Sequence, residues 1–256
     1  VLEEFTGKEL EYTEYEQLLP FLKVDKKGFF VLPHPLNYED NETEGIGAYA
    51  FADGIGLEVM YAPNGTDEGQ KMYEGWLELL ANGHKIYACA GSDSHRDLNN
   101  QALTSIYAKV LDNHTGCTTD DAKKACSSTE CNKGNMIETL AEGNFVAGSV
   151  GIKMSVGNTL MGGTGVFANQ RVVVDVDKIH ASAYDASHKY RLDVFDEQGM
   201  VCFKYLTFTK DSEGNMLGDD IAFNADADCK LYRVVITDVT TGKRIAIGNP
   251  IWNSNQ

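Results

Sequence analysis

The sequence is short of positive charge. Twenty-two lysines and arginines stand against 38 acidic residues, a formal net charge of −16. Nonspecific nucleic-acid binding relies on basic side chains neutralising phosphates, so no nucleic acid is expected as a partner. An anionic substrate would need a local positive centre, which a bound metal ion supplies. Long apolar runs are also missing: none reaches 18 residues, so no helical membrane span is expected. No basic stretch precedes an apolar one, so no signal peptide is recognisable. There is no Gly-x-Ser-x-Gly elbow, no phosphate-binding glycine loop and no Cys-x-x-Cys pair. Chemistry that depends on those motifs is set aside. Histidines number six, so the place of each is informative.

What is present begins with Lys85–Arg96, KIYACAGSDSHR. Its apolar part, Ile86–Ala90, is bounded by glycine and serine and reads as a buried strand. Asp93 and His95 follow where that strand leaves the sheet. A carboxylate and an imidazole two residues apart suit a divalent cation. The plainer reading makes Asp93 a helix cap and His95 a surface residue. Phe29–Pro35, FFVLPHP, repeats the pattern. Its apolar run ends in His34 between Pro33 and Pro35, and proline cannot donate to a strand ladder. Two buried strands thus each deliver candidate ligands just past their C-terminal ends, where βα barrels build active sites.

These stretches resemble a known family. FVLPHP, GLEVMYA and LLANGHKIYACAGSDSH are similar to later motifs of PHP-domain proteins, the polymerase and histidinol phosphatase superfamily. LAEGNFVAGSVGIKMSVGNTLMGG and the closing IAIGNPIW resemble the end of the CehA/McbA-like subgroup. The resemblance implies a distorted βα barrel and hydrolysis of a phosphorylated small molecule by metal-activated water. His34, Asp93 and His95 fall on its metal-ligand positions. The divalent ion could be Mn, Zn, Fe or Mg. The family opens with a His-x-His pair, yet no histidine precedes His34 here. The expectation is therefore the C-terminal portion of a longer enzyme. Its missing barrel half would come from elsewhere or be replaced by self-association. The alternative is a non-catalytic binding or scaffold protein that engages a surface, a glycan or a protein partner.

Around the two stretches, residues 8–23 read as an amphipathic helix with Leu10, Tyr15, Leu18 and Leu19 on its apolar side. Residues 36–54 are polar and lack a period, as a loop would be. Gly54–Ala62 reads as a strand in which Glu58 is buried by pattern. A buried carboxylate needs a partner, so Glu58 is either a hydrogen-bonded core group or a support for the metal ligands. Residues 67–82 carry Met72, Trp76, Leu79 and Leu80 at helical spacing, with Gly83 as the C-terminal cap. Arg96 could hold a substrate phosphate in bidentate fashion or pair with Asp97. Thr104–Leu111 reads as a strand, and Lys133–Gly143 as a helix.

Cys89 belongs to the buried strand. Cys117, Cys126 and Cys131 share one polar loop and could form a disulfide, stay free or bind metal with His114. Cys202 and Cys229 could face each other across two strands. From residue 170 the pattern alternates in period two: RVVVDVDK, YRLDVFDE, MVCFKYLTF, KLYRVVITDV and KRIAIGNP. Short strands between turn signals imply an immunoglobulin-like β-sandwich. The fold expected is thus α/β plus all-β, with a partial PHP-type βα barrel over residues 1–147 and a sandwich over 148–256. Asp211 to Asp220 does not fit an EF-hand and reads as a solvated hairpin tip. His84, His180 and His188 are expected at the surface.

Overall fold

The computed structural model describes residues 28–33, 53–61, 67–91, 103–106, 130–181 and 183–255. The first three strands are β1 (Val31–Leu32), β2 (Gly56–Tyr61) and β3 (Tyr87–Gly91), with helix α1 (Asp67–Ala81) between the last two. They form a parallel sheet in the order β1-β2-β3. Next come β4 (Thr104–Ile106), helix α2 (Glu130–Ala141), β5 (Phe145–Gly148), β6 (Val150–Val156), β7 (Thr159–Leu160) and β8 (Thr164–Gly165). The remainder is all strand: β9 (Arg171–Ile179), β10 (Tyr190–Phe195), β11 (Met200–Leu206), β12 (Thr209–Lys210), β13 (Met216–Leu217), β14 (Asp220–Asn224), β15 (Leu231–Asp238) and β16 (Lys243–Asn253). A second sheet runs β11-β10-β15-β16-β5-β4, with β8 pairing the end of β16. The third runs β12-β13-β9-β6-β7, with β14 also on β9.

The second and third sheets pack face to face. Val172, Val174 and Val176 of β9 and Ile152 and Met154 of β6 meet Leu192, Val194, Val234 and Ile236 of β10 and β15. Along β9 buried and exposed residues alternate, because its outer face meets solvent. Along β15 and β16 alternation disappears, since both faces are covered. On the far face Leu231, Val235, Ile247 and Trp252 pack with Leu57, Val59, Trp76 and Leu80. The second sheet is therefore the middle of three layers. α1 and the parallel sheet cover one side of it, and the third sheet covers the other.

The expected βα barrel is corrected by this arrangement. Strands dominate, and only two helices occur among the described residues. One helix, α1, is a crossover between parallel neighbours. α2 is not, because β4 and β5 on either side of it pair antiparallel. After β3 the sequence supplies short, β-branched, glycine-punctuated runs, and the described ones join the second and third sheets rather than extend a parallel one.

α1 forms where the 3.6-residue period places Met72, Trp76, Leu79 and Leu80 on one face, all of them buried. The Trp76 indole N–H donates to Ile86 O at 2.9 Å and so fastens the helix to the approach to β3. The helix stops at Gly83, whose φ of 89° is open to glycine. There Gly83 N donates to Leu80 O and His84 N to Leu79 O. The predicted helix over residues 8–23 lies outside the described residues. So does the stretch after Ile106 of the strand expected from Thr104.

Candidate functional site

The candidate ligands His34, Asp93 and His95, and the candidate phosphate contact Arg96, lie outside the described residues. The strands that lead to them are described. β1 pairs in parallel with β2, Leu32 opposite Leu57, and β2 pairs in parallel with β3, Tyr61 opposite Gly91. Three neighbouring parallel strands leave their sheet at the same edge. In sequence, His34 follows the end of β1 by two positions and Asp93 follows the end of β3 by two.

Glu58 is the one candidate residue that is described. It sits in β2 with 5% of its surface exposed. Its carboxylate lies against Gly91, where any side chain would run into Glu58 Oε1 and Cδ. Gly91 is thus required for close approach, and a buried negative group reaches the last residue of β3. Opposite Glu58 in register is Cys89. Burial, and then the Glu58 charge, push the Cys89 thiol far above its ordinary pKa. It therefore stays a protonated core group, neither a nucleophile nor a thiolate ligand.

Among the described residues no strand pairs along the outer edge of β3. Side chains take that place. Ala88 N donates to Asn249 Oδ1 at 2.7 Å, and Asn249 Nδ2 donates to Gly143 O and Phe145 O at 3.2 and 3.1 Å. Two residues on, Thr104 Oγ1 accepts from Ala90 N at 3.3 Å and donates to Ala90 O at 3.1 Å. β3 is thereby tied to β16, β5 and β4 just before the chain reaches Ser92-Asp93-Ser94-His95. The ring of Tyr87 adds contacts with Phe145 and Trp252 at 6.1 and 6.0 Å between centroids. Burial, with Asp53 and Glu142 nearby, pushes the Tyr87 hydroxyl up to about 12. It serves as a neutral donor to Gly162 O at 3.3 Å.

Among the described residues no three histidine, cysteine, aspartate or glutamate side chains come together as an ion site. His84 is half-buried, with Nδ1 3.7 Å from Asp53 Oδ1. His180 is exposed. His188, expected at the surface, is instead half-buried between two carboxylates: Nδ1 is 2.8 Å from Asp238 Oδ2 and Nε2 is 3.6 Å from Asp185 Oδ2. Its partner Asp238 ends β15, 50 positions away, which local pattern does not reveal. Asp211 closes its own turn by accepting from Glu213 N and Asn215 N, as a hairpin tip does. Cys202 and Cys229 are free thiols, so the pairing considered between them does not form. Cys117 and Cys126 lie outside the described residues, and of Cys131 only the backbone is described.

No protein-family model matches the chain. No curated protein matches it either. Among solved structures, the crystal structure of a metagenome-derived glycoside hydrolase family 9 endoglucanase is similar, with 12% identity and a TM-score of 0.24. The match covers 41% of this chain and 18% of that one. A score so low carries no argument about fold or chemistry.

Proposed function

We propose that the chain contributes to a metal-dependent phosphoesterase in which His34, Asp93 and His95 hold a divalent ion. The observation that carries this reading is the buried Glu58 carboxylate lying against Gly91, at the edge where β1 and β3 also end. Two imidazoles and a carboxylate are donors suited to Mn, Zn or Fe. When bound, such an ion lowers the pKa of a water molecule and offsets charge developing on the phosphoryl group.

The protein's own residues do the rest. Glu58 supports the ligand set through a hydrogen bond or its charge, as carboxylates beside metal ligands do. Arg96 offers two parallel N–H donors to the phosphoryl oxygens. Cys89 supplies no competing thiolate, because its buried thiol keeps its proton. The resemblance of FVLPHP, GLEVMYA and GSDSH to PHP motifs supports the same chemistry without the barrel.

Metal analysis of the purified chain tests the reading. A stoichiometric transition metal, lost in His34→Ala and weakened in Glu58→Gln, is the expected result. Hydrolysis of a generic phosphomonoester or diester should follow the metal content. A chain that binds no metal when supplied with Mn, Zn and Fe leaves the binding-module reading in its place.

A further inference from the structure

We propose that a second site, a cleft between the C-terminal end of α1 and the ends of β15 and β16, binds a small hydroxylated organic anion. The cleft has a volume of about 550 Å³, within the range of small-molecule sites and larger than an inorganic ion needs. It lies beyond the start of β3, whereas the proposed metal ligands follow that strand's end. The two sites are independent of each other.

Charge is the first argument. Lys85 and Lys230 both line the cleft. Two other lysines, Lys153 and Lys204, pair with carboxylates, Asp177 at 3.4 Å and Asp219 at 3.8 Å. Among the described residues Lys85 Nζ reaches only the Thr164 hydroxyl, at 3.1 Å. The Lys230 ammonium has no partner among the described residues. The carbonyl end of α1 does not cancel this pair of cations. Its Leu79 and Leu80 carbonyls are already taken by His84 N and Gly83 N.

The cleft also holds groups that an inorganic anion would leave idle. Glu197 Oε2 accepts from Lys230 N at 2.9 Å and from Cys229 Sγ at 3.5 Å. Its other oxygen makes no hydrogen bond among the described residues, so it can accept from a ligand hydroxyl. Leu80 and Leu231 add apolar wall. Trp252 forms part of the lining and is 6% exposed, and its buried indole N–H has no partner among the described residues. Two cations, a half-used carboxylate and an apolar wall together fit a molecule with an acid group and hydroxyls on a short carbon frame.

Calorimetry on the full chain tests this with gluconate, sorbitol and inorganic phosphate as probes. Gluconate carries both the charge and the hydroxyls, sorbitol the hydroxyls alone and phosphate a charge without a carbon frame. Expected is saturable gluconate binding, weakened about tenfold or more in the Lys85→Ala, Lys230→Ala double variant. A control with Lys178→Ala and Lys243→Ala should bind as the parent does. Both lysines of the cleft are at least partly exposed, so the melting temperature should not move. Absence of saturable gluconate binding overturns the proposal. So does sorbitol or phosphate binding as tightly as gluconate, or an unchanged affinity in the cleft double variant.

Discussion

Asn249 is fully buried and its side-chain amide is fully engaged. The oxygen serves Ala88 and the nitrogen serves two carbonyls, which fixes the amide's orientation without ambiguity. Asn249→Ala would remove the partner of the buried Ala88 N–H and of Phe145 O, while Gly143 O would keep the bond from Phe145 N at 2.9 Å, at a cost of about 3 kcal/mol. Asn249→Asp keeps the acceptor but turns a carboxylate oxygen toward Gly143 O and Phe145 O, so it should be no milder. Chemical denaturation with an unchanged slope checks both, and a shift under about 0.5 kcal/mol for the alanine variant would show the clamp to be dispensable. In the sequence, KRIAIGNP reads as one of the period-two strands. Its asparagine amide also replaces a neighbouring strand for a residue 161 positions away. No local pattern carries that. Glu58 was more legible, since a carboxylate inside an apolar period-two run is conspicuous. That it reaches Gly91 was not.

Whole elements were read more reliably than their partnerships. α1 and β9 follow from their periods, and Gly83 and Gly143 stop their helices with φ of 89° and 72°. The order of strands in the middle sheet does not follow, because KLYRVVITDV and KRIAIGNP read as period-two strands, whereas β15 and β16 are covered on both faces. His188 belongs here too, as the bridge between the loop before β10 and the end of β15. Asp238 accepts from Thr240 N, Thr241 N and the Thr241 hydroxyl as well as facing His188. Burial alone would raise its pKa, but the hydrogen bonds from Thr241 and His188 outweigh that and hold it below the ordinary value. Asp185 and Tyr190 complete the charged and titratable surroundings. A carboxylate with a lowered folded-state pKa stabilises fully above its unfolded value, about 3.9, and that contribution fades as pH falls through the folded value. Asp238→Asn should therefore lower the melting temperature at neutral pH and flatten its decline below about pH 4. Parallel acid profiles for the two proteins would remove Asp238 from the account.

At the scale of the molecule, the middle sheet decides whether the parts are separable. The chain passes from the middle sheet to the outer one at Gly148, where φ is 132° and a side chain would collide with the Ile245 backbone. A sandwich made of residues 145–255 alone would keep the core between its two sheets. It would also expose the face that α1 and the parallel sheet now cover. Leu231, Val235 and Ile247 on that face are each at most 4% exposed. Returning such side chains to water costs about 1.5–3 kcal/mol apiece, before Trp252 is counted. The sum is comparable to the whole stability of an ordinary domain, about 5–15 kcal/mol. The excised sandwich should thus melt far below the full chain, bind a hydrophobic dye and aggregate on warming. Equal melting temperatures for the two would mean that the α1 layer is an appendage rather than a third of the core.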